Sequence, residues 1–279
     1  MDRQPPHVPG LIDSHCHLDY APMSADLEAT FARARAAGVE QLLHIGCSPK
    51  SMVRAVELAQ AHAGVFASVG VHPHEAKLLD DAMLATIEAL ARANPGVVLA
   101  IGETGLDYHY DFSPRDDQLV AFGRQLDLAR ALELPVVLHI RDAHDDAWAV
   151  LAEHPARAID PGVVHCFTGT PAEAERWVGL GFHVSFSGIA TFKKAEDLRV
   201  AAKLVPSDRI LLETDAPYLS PEPLRGRKNE PANVAFTCVR LAEVRGETPD
   251  VLARTAAANT RWLFKIPAPE PGSVLAPGA

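Results

Sequence analysis

Short apolar runs recur along the chain and alternate with segments of helical periodicity. A run such as Val97-Val98-Leu99-Ala100-Ile101 is typical of a buried parallel strand. Runs of this kind predict eight strands, near residues 11–15, 41–45, 65–69, 97–101, 135–139, 163–166, 182–186 and 209–213. Apolar residues at three- and four-residue steps predict amphipathic helices over 25–37, 51–63, 81–94, 143–153, 171–180 and 233–244. Ser113-Pro114 opens another helix, between the fourth and fifth strands.

The repeated strand and helix unit predicts an α/β fold with a parallel sheet and right-handed crossovers. Eight such units favour a single-domain, closed TIM (β/α)₈ barrel. A doubly wound open sheet is the alternative, but it would not naturally bring the ends of the first, fourth, fifth, sixth and eighth strands together. We therefore expect an N-terminal extension over residues 1–10, a barrel over 11–266 and a flexible tail rich in Pro and Gly over 267–279.

Composition narrows the choice of protein class. The 279 residues are 48% hydrophobic and 22% charged, which is ordinary globular usage. Acidic residues outnumber Lys and Arg by 36 to 26, and a net charge of −10 argues against a broad basic surface that clamps nucleic acid. An anionic substrate would have to be held by local cations.

Four cysteines, at 16, 47, 166 and 238, form no C-x-x-C pair and predict reduced thiols. The N-terminus carries no apolar signal segment, and no stretch approaches the ~20 apolar residues of a membrane span. We expect a cytoplasmic protein with no membrane partner that acts as a monomer.

Six side chains with metal-binding chemistry stand where apolar runs end. They are His15, His17, Glu103, His139, His165 and Asp215. The C-terminal ends of barrel strands share one face, so these residues are expected to meet there. Any one of them could instead be a hydrogen-bonded polar residue at the barrel rim, but this alternative would have to hold at all six positions. A carboxylate can bridge two ions, so this mixed nitrogen and oxygen set favours a pair of divalent metals over a lone structural zinc.

Seven sequence blocks extend this picture. They are His15-Cys16-His17-Leu18-Asp19, Gly70-Val71-His72-Pro73-His74, Gly102-Glu103-Thr104-Gly105-Leu106-Asp107-Tyr108, His139-Ile140-Arg141-Asp142-Ala143, His165-Cys166-Phe167-Thr168-Gly169, Glu213-Thr214-Asp215-Ala216-Pro217-Tyr218-Leu219 and Arg225-Gly226-Arg227-Lys228-Asn229-Glu230-Pro231. In this order, from about residue 11 to 264, they resemble the TatD-type metal-dependent deoxyribonucleases. Members of that family are described as DNases, RNases or metal-dependent hydrolases, and D-aminoacyl-tRNA deacylation has also been assigned to it.

The resemblance implies an amidohydrolase-like barrel with two divalent cations, Mg²⁺, Mn²⁺ or Zn²⁺. It places His15, His17 and Asp215 on one metal, His139 and His165 on the other, and Glu103 as the bridging carboxylate. The implied activity is that of a nuclease, a 3′-5′ exonuclease on single-stranded DNA or RNA ends. Catalysis would rest on Glu103 and on Asp215, the candidate general base for a metal-activated water.

Substrate contacts are predicted from loop residues on the same face. His72 could contact the phosphate, although a loop histidine hydrogen-bonded to backbone is the alternative, and this plain reading is favoured for His74. Lys193, Arg225 and Arg227 could grip a nucleic acid strand, with Phe192 stacking a base. Arg141 is either a phosphate contact or an ion-pair partner of Asp142 or Asp107.

Two other functions stay open at this point. The same ligand set could hydrolyse the ester of a D-aminoacyl-tRNA or a small amide, ester or lactone, because an activated water also attacks carbonyls. A non-catalytic metal-binding scaffold is the reading from a different class. Retention of all six ligand residues argues against it.

Overall fold

The computed structural model describes residues 4–269 and residue 275. Its sheet contains eight parallel strands whose order follows the sequence. They are β1 (Leu11–Cys16), β2 (Val39–Gly46), β3 (Val65–Val69), β4 (Val98–Asp107), β5 (Val136–Arg141), β6 (Gly162–Val164), β7 (His183–Phe186) and β8 (Ile210–Leu212). The predicted α/β barrel is therefore confirmed, and the open doubly wound sheet is excluded.

Helices follow the strands and pack outside them. They are α1 (Leu27–Ala36), α2 (Pro49–Ala61), α3 (Asp81–Ala93), α4 (Arg115–Ala131), α5 (His144–Glu153), α6 (Pro171–Gly179), α7 (Glu196–Leu204), α8 (Val234–Arg245) and α9 (Pro249–Phe264). Polar N-caps begin several of them: Ser48 caps α2 and Thr170 caps α6, each in a reciprocal capping box with Pro at the first helical turn. No helix in the described part of the chain combines the length and apolarity that a membrane crossing requires.

The barrel is completed where β8 meets β1. The amide of Asp215 donates to the carbonyl of His15 (2.9 Å), and the amide of His17 donates to the carbonyl of Ala216 (2.8 Å). Beside them, the buried Asp13 carboxyl accepts from the amide (2.8 Å) and the hydroxyl (2.5 Å) of Thr214. Burial raises the pKa of Asp13 to about 8. The Asp13 side chain thus supplies part of the hydrogen bonding between β1 and the segment after β8, next to the predicted ligands His15 and Asp215.

A separate apolar cluster fills the other end of the barrel. It joins Leu43, Leu99 and Val137 of the strands to Leu263 and Phe264, the last residues of α9. Helix α9 also packs on β1 and β8. The end of the barrel opposite the strand C-termini is therefore sealed by hydrophobic side chains, which leaves the C-terminal end as the open mouth.

The structure departs from the sequence predictions in a few elements. Strand β4 continues to Asp107 instead of ending near 101, because its polar stretch stays paired with β5. Helices α7 and α9 were not among the predicted helices. Pro267 accepts a hydrogen bond from Gln41, and Leu275 is buried with its carbonyl bound by Arg35. Apart from 267–269 and 275, the predicted flexible tail lies outside the described residues.

Candidate metal centre

The six predicted ligands meet at the mouth of the barrel. His15 lies in β1, Glu103 in β4 and His139 in β5, while His165 follows β6 and Asp215 follows β8. Each stands near the C-terminal end of its strand, so residues two hundred positions apart in sequence become neighbours. Three overlapping groups of ligand-type atoms each lie within 4.8 Å of one another: His15, His165 and Asp215; His15, His17 and Glu103; and His72, Glu103 and His139.

Glu103 stands at the centre of the site, and its two oxygens face different histidines. Oε1 lies 2.9 Å from Nε2 of His165 and 3.1 Å from Nδ1 of His139. Oε2 lies 3.4 Å from Nε2 of His15 and 3.9 Å from Nε2 of His17. Although burial works against a charge here, the surrounding histidines hold the pKa of Glu103 well below its usual value. This carboxylate has the placement that a bridging ligand requires.

Asp215 follows β8 and lies beside His15 and His17. Its Oδ1 is 3.5 Å from Nε2 of His17 and 3.7 Å from Nε2 of His15. The residue has a left-handed backbone (φ 56°), which is uncommon for a non-glycine residue. Its side chain is 14% exposed, whereas that of Glu103 is 4% exposed. Asp215 is therefore the carboxylate of this set that solvent reaches most easily.

The ring nitrogens of the histidines test whether a cation fits. His139 donates from Nε2 to Asp107 (2.9 Å), so a neutral ring keeps its lone pair on Nδ1, and that atom lies 3.3 Å from Nε2 of His165. Nδ1 of His17 donates to the carbonyl of Ile45 (3.3 Å), and Nε2 of the same ring is 3.3 Å from Nε2 of His15. Nδ1 of His139 and Nε2 of His17 then each point a lone pair at the neighbouring ring, where a cation could accept it. The donor set therefore fits divalent metal ions.

Two buried carboxylates behind the histidines escaped the sequence analysis as functional residues. Asp107 accepts from His139 and from Nε2 of His74 (3.0 Å) through the same oxygen. Glu213 lies 3.3 Å from Nδ1 of His165 and accepts from the amide of Cys166. Carboxylates behind metal-binding histidines fix ring orientation and raise ligand basicity. Sequence analysis could have found both acids, because each ends or follows a buried strand and a buried acid requires a partner.

The comparisons with known proteins decide the family. A family model described as TatD related DNase matches residues 12–265. The chain belongs to this family. A Bacillus subtilis (strain 168) relative named uncharacterized metal-dependent hydrolase YabD is 38% identical over 92% of this chain and 99% of its own length. An Erwinia billingiae protein named 3′-5′ ssDNA/RNA exonuclease TatD is 40% identical over 92% of this chain and all of its own.

A solved structure agrees with this placement. The crystal structure of YJJV, a TatD homolog from Escherichia coli K12, matches with a TM-score of 0.86 at 34% identity, over 92% of this chain and 98% of that chain. The protein is accordingly a TatD-family hydrolase with the barrel of that family. Its predicted family membership and enzyme class are confirmed.

His72 and His74 stand beside the ligands of this TatD-family site. The amide of His74 donates to Nδ1 of His72 (3.1 Å), so the neutral His72 ring carries its proton on Nε2, which lies 3.2 Å from Oε1 of Glu103. Burial lowers the pKa of His72 to about 4, which keeps the ring neutral. This tautomer favours a hydrogen-bond donor over a metal ligand. Nε2 of His74 hydrogen-bonds the Asp107 carboxylate rather than backbone, so the partner differs from the predicted one.

The predicted substrate contacts separate into two groups around the mouth. Lys193 and Arg225 line one groove of about 1100 Å³ between the loops after β5, β6, β7 and β8. The Arg225 guanidinium lies 4.4 Å from the Phe192 ring centroid. Arg141 is not among the residues that line this groove, and its guanidinium lies 4.9 Å from the Tyr110 ring centroid. Arg227 is exposed in the loop after β8, where its carbonyl accepts from Ser220.

Proposed function

We propose that this TatD-family hydrolase cleaves phosphodiester bonds of single-stranded nucleic acid, as a 3′-5′ exonuclease on DNA or RNA, with two divalent cations. The placement of Glu103 carries the proposal, because its two oxygens face two different sets of histidines. Paired metal sites of that kind suit in-line displacement at phosphorus. The Erwinia billingiae relative, named for 3′-5′ activity on ssDNA and RNA, supports the substrate class.

The family resemblance implies how the ligands would divide between two cations. His15, His17 and Asp215 would hold one, His139 and His165 the other, and Glu103 both. When bound, divalent cations of this kind polarise a phosphoryl oxygen and lower the pKa of water. Imidazole and carboxylate ligands together are compatible with Zn²⁺ or Mn²⁺, and carboxylate oxygens with Mg²⁺, so these three are the ions to test.

Asp215 would accept the proton of the attacking water. Burial alone would favour its protonated form, but the hydrogen bond from His17 and the charges of His15 and His165 lower the pKa of Asp215. The group is therefore a carboxylate near neutral pH and free to act as a base. His72 would direct its Nε2 proton at an anionic oxygen next to Glu103, and a phosphoryl oxygen of the substrate has that chemistry.

Cations at the rim would hold the strand locally. The chain is acidic overall, so binding of a polyanion depends on side chains such as Lys193 and Arg225 along the large groove. Arg227 lies in the same loop as Arg225, and Arg141 lies at the end of β5 beside Tyr110. A mouth with cations on loops suits a flexible single strand better than a rigid duplex.

End-labelled single-stranded and duplex DNA and RNA, incubated with the purified protein and each divalent ion, test the proposal. Asp215→Asn keeps an oxygen ligand but removes the base, so turnover is expected to fall by roughly 10² or more while substrate binding changes far less. Asp208→Asn is the matched control, because Asp208 is 72% exposed and lies before β8, at the other end of the barrel.

The reaction products show whether the protein cleaves phosphodiesters or hydrolyses carbonyl compounds. Release of mononucleotides from the 3′ end of single strands supports the proposal. Metal-dependent hydrolysis of carbonyl esters, lactones or aminoacyl-tRNA without phosphodiester cleavage would replace it with the carbonyl chemistry that the same residues allow. Wild-type nuclease turnover in Asp215→Asn would show that the base assignment is wrong or that a contaminant cleaves the substrate.

A further inference from the structure

Exposed aromatic side chains are concentrated around the mouth of the barrel. Five lie in the described residues. Four of them, Tyr20, Tyr110, Phe112 and Tyr218, lie in loops that follow strands, and the fifth, Trp262, lies on α9. Keeping apolar rings in water is unfavourable, so rings gathered at a catalytic opening point to a ligand that covers them. Nucleobases have the flat faces that such rings stack on.

Tyr110 and Phe112 form the pair best arranged for stacking. Their rings are near parallel, with an interplanar angle of 19° and centroids 5.2 Å apart, and they are 49% and 59% exposed. The Arg141 guanidinium lies 4.9 Å from the Tyr110 centroid. By contrast, Tyr20 and Tyr218 meet edge to face at 62°. The first pair offers a flat aromatic surface with a cation beside it.

A continuous run of rings connects this pair to the metal centre. His74 lies 4.8 Å from Phe112 and 5.5 Å from Tyr110, centroid to centroid. The same ring lies 4.2 Å from His72, which in turn is 4.6 Å from His139. A strand whose phosphate lies at Glu103 and His72 therefore has a nearby base within reach of Phe112 and Tyr110.

The loop that carries the pair is held in place by hydrogen bonds. The Asp107 carboxylate accepts from the amides of His109 (3.0 Å) and Tyr110 (2.9 Å). The Lys77 ammonium donates to the carbonyl of Phe112 (3.1 Å). The Tyr108 hydroxyl donates to Asp146 (2.7 Å). A preformed stacking surface loses little conformational entropy when a base binds.

Local charges also suit an anionic strand. Asp111 pairs with Arg115 at 3.0 Å, and Asp142 lies 3.5 Å from Nδ1 of His109, so the nearest acids have cationic or polar partners. Within the described residues Arg141 forms no ion pair, which leaves its guanidinium available to a phosphate. The predicted ion pairs of Arg141 with Asp107 or Asp142 are absent there. Its role as a substrate contact remains consistent with the geometry.

We infer that Tyr110 and Phe112, with Arg141 beside them, are a base-stacking platform for the nucleotides next to the scissile phosphodiester. The inference rests on the proposed nuclease function and names a substrate subsite for it. The platform recognises any base face, so it confers grip on single strands without sequence preference. A duplex end would have to fray before a base could reach it.

Substrates that lack a base test the platform directly. The probes are a single-stranded oligonucleotide with normal bases and the same oligonucleotide with an abasic site at each of the last three 3′ positions in turn. Tyr110→Ala/Phe112→Ala is expected to lower kcat/KM on the normal strand roughly tenfold or more, and to have little effect on the strand whose abasic site removes the stacked base. Tyr110→Phe/Phe112→Tyr keeps both rings and is expected to retain wild-type values. Trp262→Ala, at the sealed end, is the exposed-aromatic control.

A second readout separates this inference from the nuclease activity itself. In EDTA, an oligonucleotide carrying 2-aminopurine near its 3′ end is expected to lose fluorescence on binding the wild-type protein and to keep it with the double alanine variant. If the wild-type protein cleaves no phosphodiester, the proposed function fails and this quenching alone decides the platform. Equal losses of kcat/KM on normal and on every abasic strand, or quenching unchanged in the double variant, would overturn the inference.

Discussion

Buried histidines lie at both ends of the barrel, but in opposite surroundings. At the mouth, His139 lies against Asp107 and His165 against Glu213. Burial disfavours the charged form of both rings, yet the adjacent carboxylates raise the pKa of each. At the sealed end, burial and then Arg209 lower the pKa of His183 to about 4, and neither of its ring nitrogens has a hydrogen-bond partner among the described residues. For His139 and His165 the neighbouring carboxylates outweigh burial, whereas at His183 burial prevails.

The largest of the expected effects is a change in folding stability with pH, caused by His183 at the sealed end. The unfolded His183 binds protons below its usual pKa of 6.5, whereas the folded residue binds them only below about 4. Folding stability is therefore fully present above pH 6.5 and is lost as the pH falls through this window, by about 3 kcal/mol at pH 4. His183→Leu removes this loss. Urea unfolding at pH 7 and pH 4 measures it.

The difference between variant and wild type isolates this one group from all other titrations. His7→Leu is the control, because it removes an exposed histidine instead of a buried one. Equal loss of stability on acidification in wild type and His183→Leu would break the contrast between the two ends.

At the mouth, the carboxylates behind the histidines are the residues to change next. Asp107→Asn keeps the shape of the side chain but removes the charge that orients His139, and metal affinity is expected to fall roughly 10- to 100-fold. Glu213→Gln should do the same through His165. Calorimetric titration with Mn²⁺ or Zn²⁺ measures the affinity, and Asp208→Asn is an exposed-acid control. An unchanged metal affinity in both variants would mean that depth alone positions these rings.

The contrast also shows what sequence can predict. The barrel and the six ligands follow from apolar runs and from the residues at which the runs end, since strand ends share one face whatever the loops do. Asp107 also ends a strand, but the apolar pattern stops that strand near residue 101, and the role of Asp107 depends on which nitrogen of His139 faces the site. Nor could Arg141 be placed, because packing decides whether the long side chain at the end of β5 meets Tyr110 or one of two carboxylates. Helix α9 seals the barrel through Leu263 and Phe264, and that contact depends on tertiary packing that the pattern along the chain does not specify.

The smallest of the expected effects is on the affinity for single-stranded DNA, when a cation at the rim of the mouth is replaced. Arg225 is solvent-exposed and stacked on Phe192 in the large groove, so its contribution to binding a strand is screened by salt. Arg225→Ala should weaken the affinity for single-stranded DNA a few-fold and flatten the slope of log K against log salt concentration by about 0.7, the loss of one phosphate contact. Lys228→Ala removes the same charge from the same loop but outside the residues that line the groove, and should change the slope less. Equal slopes for the two variants would mean that the acidic barrel attracts the strand through its overall field rather than through this groove.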